Sequence, residues 1–505
     1  MIRRLLLMAT VVATVAVVVA ACGGGSSSSG STGGAQTTKN SAVLGFNHQP
    51  ETLDFSTQDG AAIPEVLLVN VYEGLVKLDS TGKIIPLLAK SWTVSSDHKT
   101  YDFQLNSGVT FSNGDKFTGD DVKFSIDRVK STAWTISLKG YMDVVKSVTV
   151  VSPTEVKVTL SAPSNDWLFR MTTRVGAMYT PNGVADLANK AVGTGPYVVT
   201  KFTRGDSILL TRRNDYWGPK PAMQTVTFRY FNDPNAETSA LLSSGIDGII
   251  DVGSPDLLSQ FKSNKQFLII QGTTNGEVVL SMNNASGVFT DKRVRQAVCF
   301  AIDRKALIQV ANAGYGTLIG SMVPPTDPWY QDLSNNYPFD PAKAKALLAA
   351  AVKPKITVRF RVPNLDYALP PAQVVKSDLA AVGITAKIDV LQFPAQWLDQ
   401  VFTKHNYDMS VIEHVEARDI ATYGDPTYYW GYNNPTVQQL LKAGDAGTPA
   451  QQITDYQQVA KILSADAVSD WLYLYPRLNV LRVGLQGVPP NALSEALDVT
   501  GITWR

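Results

Sequence analysis

The sequence predicts an α/β protein built from more than one lobe. Its 505 residues exceed what a single hydrophobic core organises, since cores stop growing at about 250–300 residues. Between Ile356 and Val390 a strand pattern, a helix and a second strand pattern follow one another. That is the sequence form of a βαβ unit, with parallel strands and a right-handed crossover. The first half is rich in hairpin signals instead, and this asymmetry argues for distinct lobes.

Order begins near Ser41, and Val43-Leu44-Gly45-Phe46 reads as the first strand. Ile63 to Val76 reads as a helix, followed by a turn at Asp79-Ser80-Thr81-Gly82. Tyr101 to Leu105 alternates apolar and polar residues, as a half-buried strand does. Thr118 to Asp121 has the capping-box pattern, and Val122, Ile126 and Val129 follow at helical spacing. Val148–Val151 and Val156–Leu160 flank Ser152-Pro153-Thr154 as one hairpin. Tyr197–Phe202 and Ile208–Arg212 flank Arg204-Gly205-Asp206 as another. Thr290 is placed to cap a helix whose Val294, Ala297, Val298, Ala301 and Ile302 form one apolar face. Asp340-Pro341 opens an Ala/Leu/Lys helix to Ala351. Ile356, Val358, Phe360 and Val362 form the first strand of the βαβ unit. Its helix starts near Pro371 and ends at Gly383, and Ile384, Ala386, Ile388 and Val390 form its second strand.

The N-terminus carries an export signal. Arg3 and Arg4 precede an apolar run from Leu5 to Val19, shorter than the about 20 residues a membrane span needs. Val19-Ala20-Ala21-Cys22 then has the form of a bacterial lipobox, with cleavage after residue 21 and lipid on Cys22. Residues 22–40, almost all Gly, Ser, Thr, Ala and Gln, make a flexible linker. The chain is therefore expected outside the cytoplasmic membrane, tethered to it by lipid. A net charge of +1 gives no single-sign field for nucleic acid. With Cys22 acylated, Cys299 is alone, and its apolar helix makes it a buried, inert thiol. No later stretch is long and apolar enough to span a membrane.

Several segments, taken in order, resemble the family 5 extracellular solute-binding proteins, the peptide/nickel-type receptors of ABC importers. They are Tyr72-Glu73-Gly74-Leu75-Val76, Pro86 to Trp92, Gly108 to Gly114, Thr118 to Val122, Gly193-Thr194-Gly195-Pro196-Tyr197, Arg213-Asn214-Asp215-Tyr216-Trp217, Asp291 to Ala297 and Ala301 to Arg304. The resemblance implies a type II periplasmic binding protein fold, with two lobes closing on a hinge and an extra subdomain on the first. Lobe I would take 41–82, 193–275 and 473–505, the extra subdomain 83–192, and lobe II 276–472. It also implies a monomer that is not an enzyme, has no cofactor, and hands a peptide-like solute to the permease subunits. The motifs themselves read as structural: no P-loop Lys follows Gly193 and Gly195, so phosphate cradling is not expected there.

The candidate solute site is the stretch from Glu413 to Tyr432, rich in charged and aromatic residues. Glu413, His414, Glu416, Arg418 and Asp419 supply polar groups, and Tyr423, Tyr429 and Trp430 supply rings that bind by area and orient by their polar edges. About half of the rings are expected to be lobe core instead. Asn47 and His48, at the end of the first strand, are candidates for the opposite wall. Peptide-binding members place an Asp before the Asp-Pro turn to meet the peptide amino group. The matching residue here is Thr422, and Asp419 is the carboxylate nearby. Asp425 before Pro426 sets a turn. On a strand, His414 and Glu416 share one face while Glu413 points away, so these residues read as pocket lining rather than a metal site. A metal chelate remains the alternative solute. Arg170 and Arg174 could meet an acidic ligand, with surface pairing as the default. A secreted hydrolase using the Glu413–Asp419 carboxylates is the remote alternative, but nothing supplies a positioned nucleophile.

Overall fold

A computed structural model describes residues 39–58, 60–351, 355–365 and 367–505. The leader, the lipobox with Cys22 and the linker to residue 38 lie outside the described residues. Lys39–Arg505 forms one compact unit. Its largest element is a ten-stranded sheet. From one edge the strands run Ile384–Leu391, Ile356–Pro363, Met409–His414, Phe267–Met282, Ser469–Arg482, Gly248–Ile249, Ser41–Phe46, Thr225–Tyr230, Ser207–Arg212 and Tyr197–Thr203.

Two long antiparallel strands in the middle hold this sheet together. Phe267–Thr273 pairs with Pro476–Arg482, on the side of the sheet that continues to Ser41–Phe46. Glu277–Met282 pairs with Met409–His414 on one edge and with Ser469–Leu474 on the other. Between the two stretches the register breaks at Thr273/Glu277. Residues 274–276 bulge there, and a bulge bends its strand and re-aims the side chains beyond it. The hydrophobic cores divide at the same place. One large cluster draws on Ala42–Tyr230, Ile250 and 481–502, and a smaller one on Leu241–Phe267 with Leu478 and Val480. Two others lie wholly within 278–474.

Most local patterns form as the residues dictate. The capping box at Thr118 closes the helix Gly119–Lys130, with Asp121 accepting from the Thr118 N–H at 2.8 Å. The two hairpins pair as Val145–Ser152 with Glu155–Leu160, and Tyr197–Thr203 with Ser207–Arg212. Ile356–Pro363 and Ile384–Leu391 pair in parallel around the helix Leu369–Ala381, and Gly383 takes the left-handed backbone after it at φ 97°. The first helix is shorter than the pattern Ile63–Val76 suggested. It covers Ala62–Leu67, because Val69 turns into the left-handed region at φ 67° and the Asn70 side chain donates to the carbonyls of Val66 and Leu497. The helix Lys292–Ala301, which contains Cys299, starts one residue late, since the Asp291 carboxylate caps it by accepting from the Arg293 N–H. Cys299 is free and buried, and burial pushes its thiol well up.

The segments that carry the resemblance knot together. Arg213 is buried and donates to the carbonyls of Thr110 at 3.1 Å and Phe111 at 3.3 Å. Buried Glu73 accepts from the Tyr216 hydroxyl at 2.8 Å and from the Trp217 indole N–H at 3.0 Å. A Cβ on Gly193 would lie 1.9 Å from the Val71 carbonyl oxygen, and one on Gly195 2.5 Å from that of Asn70. The glycine turn is thus a close backbone approach. Arg304 plays the same part further on, donating to the carbonyls of Ile319 at 2.7 Å and Trp471 at 3.0 Å.

Candidate functional site

The strand Met409–His414 is buried at every position except half-buried Glu413, and it stops where its partner begins to bulge. The chain then reverses through Arg418, which adopts the left-handed conformation at φ 67°, into the short helix Asp419–Gly424. Glu416 therefore lies off the strand, and the alternation that would have paired its face with His414 does not apply. The reversal brings the Asp419 carboxylate back to His414, 3.1 Å from Nδ1. The other ring nitrogen, Nε2, meets the Tyr429 hydroxyl at 2.9 Å, and that hydroxyl meets Ser281 Oγ at 2.6 Å. Ligand atoms of His414, Glu416 and Asp419 all lie within 4.8 Å of one another.

The rings sit behind this polar edge. Tyr423, Tyr429 and Trp430 have 0% exposure and belong to the core between Met409–His414 and the helices Pro435–Ala446 and Pro449–Asp466. Tyr423 stacks on Trp430 with centroids 4.3 Å apart, and Trp430 lies 5.0 Å from the His414 ring. Of the neighbouring rings, Tyr428 is only half-buried. Asp425 sets the expected turn by accepting from the Thr427 N–H, and the Thr422 hydroxyl donates to the Asp419 carbonyl.

Asn47 and His48 belong to a second polar group. His48 Nδ1 meets Asn47 Oδ1 at 2.7 Å, and Nε2 meets the Glu65 carboxylate at 2.9 Å. Arg477, on the long strand, donates to the same carboxylate at 2.9 Å and lies 3.5 Å from Asp251. Burial alone would raise the Glu65 pKa, but His48 and Arg477 outweigh it and hold it down to about 2. The His48 pKa moves up: burial opposes this, and Glu65 and Asp251 overcome it.

The Glu413 carboxyl is pushed up to about 8, chiefly by burial, with the like charges of Asp251 and Glu416 adding to it. Glu277 stands opposite His414 in the ladder. It is 2% exposed, and its Oε2 has no partner among the described residues. Burial, with Asp419, Asp327 and Glu413 as like-charged neighbours, drives its pKa well up.

Residues 164–170 supply a third set of contacts to this region. The Asn165 side chain donates to the carbonyls of Gly447 at 2.8 Å and Gly444 at 3.1 Å, so it caps the C-terminal end of the helix Pro435–Ala446. Asp445 accepts from the Asp166 N–H at 2.9 Å. Arg418 lies 3.6 Å from the Asp166 carboxylate and 3.8 Å over the Phe169 ring. Arg170 pairs with Asp166 at 2.7 Å, covers the Tyr141 ring and donates to the Ala417 carbonyl. Arg174 is bound to Glu495 at 2.7 Å. Two surface cavities, of about 560 Å³ beside Lys39 and Trp504 and about 410 Å³ beside Lys77 and Pro490, lie elsewhere.

Sequence reasoning missed Glu65, Asp251, Glu277, Asp327, Asp166 and Arg477. Two of them had a usable signal. Glu277 adjoins the apolar run Val278–Leu280 and Arg477 lies within the largely apolar stretch Trp471–Leu481, where burying a charge is costly unless it is paired.

Residues 83–439 match the model of the bacterial extracellular solute-binding proteins, family 5 Middle. The glutathione-binding protein GsiB of Escherichia coli K12 is 29% identical over 336 residues, 65% of each chain. The match thus spans somewhat less than two thirds of that relative's length. Two solved structures share the fold. The ABC transporter substrate-binding protein CtaP of Listeria monocytogenes superposes with a TM-score of 0.81 at 22% identity, over 93% of this chain and 100% of that one. NikA from Brucella suis, in complex with Fe(III)-EDTA, also has a TM-score of 0.81 at 22% identity, over 92% and 100%. The α/β fold is that of the type II periplasmic binding proteins. With the family model matching well over half of its length, the chain belongs to the bacterial extracellular solute-binding proteins of family 5.

Proposed function

We propose that this chain is the extracytoplasmic receptor of an ABC importer, binding a peptide-like small solute between two lobes and delivering it to the permease subunits. Lobe I is 41–82 with 193–275 and 473–505, the extra subdomain is 83–192, and lobe II is 276–472. One arrangement gives the strongest support: the residues at and after the end of strand Met409–His414 meet both other parts. Asp251 of lobe I, beside Arg477, adds to the upward push on Glu413, and Asp166 and Arg170 of the subdomain contact Arg418 and the Ala417 carbonyl. The long strands continue from one set of cores to the other, and a bulged strand pair is where hinge closure would concentrate.

Polar residues of the Glu413–Asp419 stretch and half-buried Tyr428 make the solute contacts in this reading. Tyr423, Tyr429 and Trp430 back them from the interior. The chain acts by binding, not catalysis, as a monomer without a cofactor. Lipid on Cys22 tethers it to the outer face of the cytoplasmic membrane, with 22–40 as the leash. Glutathione binding by the E. coli relative favours short peptides in the first screen.

Calorimetric titration of the mature protein with glutathione and di- to pentapeptides tests the reading. A saturable heat that falls when Arg477→Met is introduced is expected. No binding by any peptide would contradict the peptide assignment, and binding unchanged by Arg477→Met would contradict the site. Cys22→Ser should move the protein from the membrane to the soluble fraction on cell fractionation.

A further inference from the structure

Four strand ends meet on one side of the large sheet. Lys39 precedes Ser41–Phe46, Asp247 precedes Gly248–Ile249, Lys265 precedes Phe267–Met282, and Arg482 closes Ser469–Arg482. Hydrogen bonds fix them together. Lys39 pairs with Asp247 at 2.5 Å, the Arg482 N–H donates to the Asp247 carbonyl at 3.0 Å, and the Val483 N–H donates to that of Gln266 at 2.8 Å. These residues line the surface cavity of about 560 Å³. At their other ends the parallel strands Ser41–Phe46 and Gly248–Ile249 run into Asn47 and Asp251, in the polar group around Glu65 and Arg477. A six-residue strand is about 20 Å long, so the cavity stands about that far from the candidate solute residues.

The lining is cationic and amphipathic. Asp247 offsets Lys39, but Arg482 spends its donors on neutral groups, the Leu241 carbonyl at 3.0 Å and the Ser244 hydroxyl at 2.5 Å, so its charge is not cancelled there. Lys265 is exposed. Half-buried Trp504 is held by its indole N–H, which donates to the Ser41 carbonyl at 2.8 Å, and Lys39 lies 4.3 Å over its ring. Val483, beside it in the lining, is 53% exposed. Cations next to an indole and an open aliphatic side chain suit the headgroup layer of an anionic bilayer. The position of the tether decides the occupant. Lys39 stands seventeen positions after Cys22, a length of chain that spans at most about 60 Å. Lipid on Cys22 would hold this face beside the bilayer at about millimolar effective concentration, where a weak contact is enough.

We propose that this cavity is a docking surface for anionic phospholipid headgroups, which seats the tethered receptor with its solute residues turned away from the bilayer. The inference rests on the lipid tether of the proposed function. Solute arrives from the medium on that side. Handover to the permease then requires the face to leave the lipid, which a weak, salt-sensitive contact permits.

The test separates docking from tethering by using the mature chain with Cys22→Ser, which carries no lipid. Co-sedimentation with vesicles of phosphatidylglycerol and phosphatidylcholine should show binding at about 0.05 M salt that is lost at about 0.5 M, and none to phosphatidylcholine alone. Lys265→Glu should weaken that binding by about tenfold or more, since each cation near an anionic surface is worth about fivefold. Lys265 is exposed, so this variant keeps the parent's thermal midpoint. Equal binding to both kinds of vesicle, binding unchanged in Lys265→Glu, or displacement by inorganic phosphate at constant ionic strength would overturn the docking surface. A Cys22→Ser protein that is soluble in cells and ignores the vesicles defeats the docking surface and leaves the tether standing. One that stays with cell membranes at about 0.5 M salt defeats the tether, whatever the vesicles show.

Discussion

At the scale of single residues, interior groups and cleft-facing groups should answer differently to substitution. Trp430 is fully buried and packed against Tyr423 and Tyr429. Its replacement by Ala should cost about 3–5 kcal/mol in denaturant unfolding, the range for large aromatic deletions. Glu73 gives a pH signature. Burial raises its carboxyl from an ordinary 4.5 to about 7, against the opposing effect of the Trp217 and Tyr216 hydrogen bonds. The folded state therefore holds a proton that the unfolded state releases between these two values. Its contribution to stability is full below pH 4.5 and is lost as pH rises through 7, by about 3 kcal/mol at most. Glu73→Gln, which mimics the neutral carboxyl, should flatten that part of the stability–pH profile relative to the parent. An unchanged slope would remove Glu73 as its source.

At the scale of elements, the glycine turn and the long strands do most of the organising. Gly193→Ala would force a Cβ onto the Val71 carbonyl, a backbone atom that cannot step aside. The variant should lose about 3 kcal/mol or more, seen as a fall in thermal midpoint. Local elements were legible in the sequence wherever pattern and punctuation agreed. The capping box at Thr118, the hairpin around Pro153 and the parallel unit from Ile356 are of this kind. The two long strands were not legible, because Phe267–Met282 and Ser469–Arg482 mix apolar runs with buried charges and follow no single period. The first helix was overdrawn for a related reason: Val69 and Asn70 fit helical spacing, but the contact of Asn70 with Leu497 spans most of the chain. The segment at His414 was found because it concentrates charge and rings. Which of its rings are interior depended on helices that the segment itself does not contain.

At the scale of the whole molecule, the proposed reading makes closure of the lobes govern binding. Asn165 ties residues 164–170 to the end of the helix Pro435–Ala446 through two side-chain hydrogen bonds. The two together are worth about 2 kcal/mol net, so Asn165→Ala should weaken solute binding by up to about thirtyfold through a less favoured closed state. Small-angle scattering should then show a larger radius of gyration at subsaturating solute than for the parent. The family assignment was readable from motifs that knot the first half together, whereas the approach of Asp251 to Arg477 and of Asp166 to Arg418 was not, since these partners are remote in sequence. The central claim is that a solute is held where those remote groups meet. The most direct measurement is a crystal structure of the mature protein purified from its own host, with any co-purifying molecule retained. A small molecule enclosed between Arg477 and the Glu413–Asp419 stretch is the expected result. A molecule bound elsewhere on the surface, with that region filled by side chains alone, would contradict the claim.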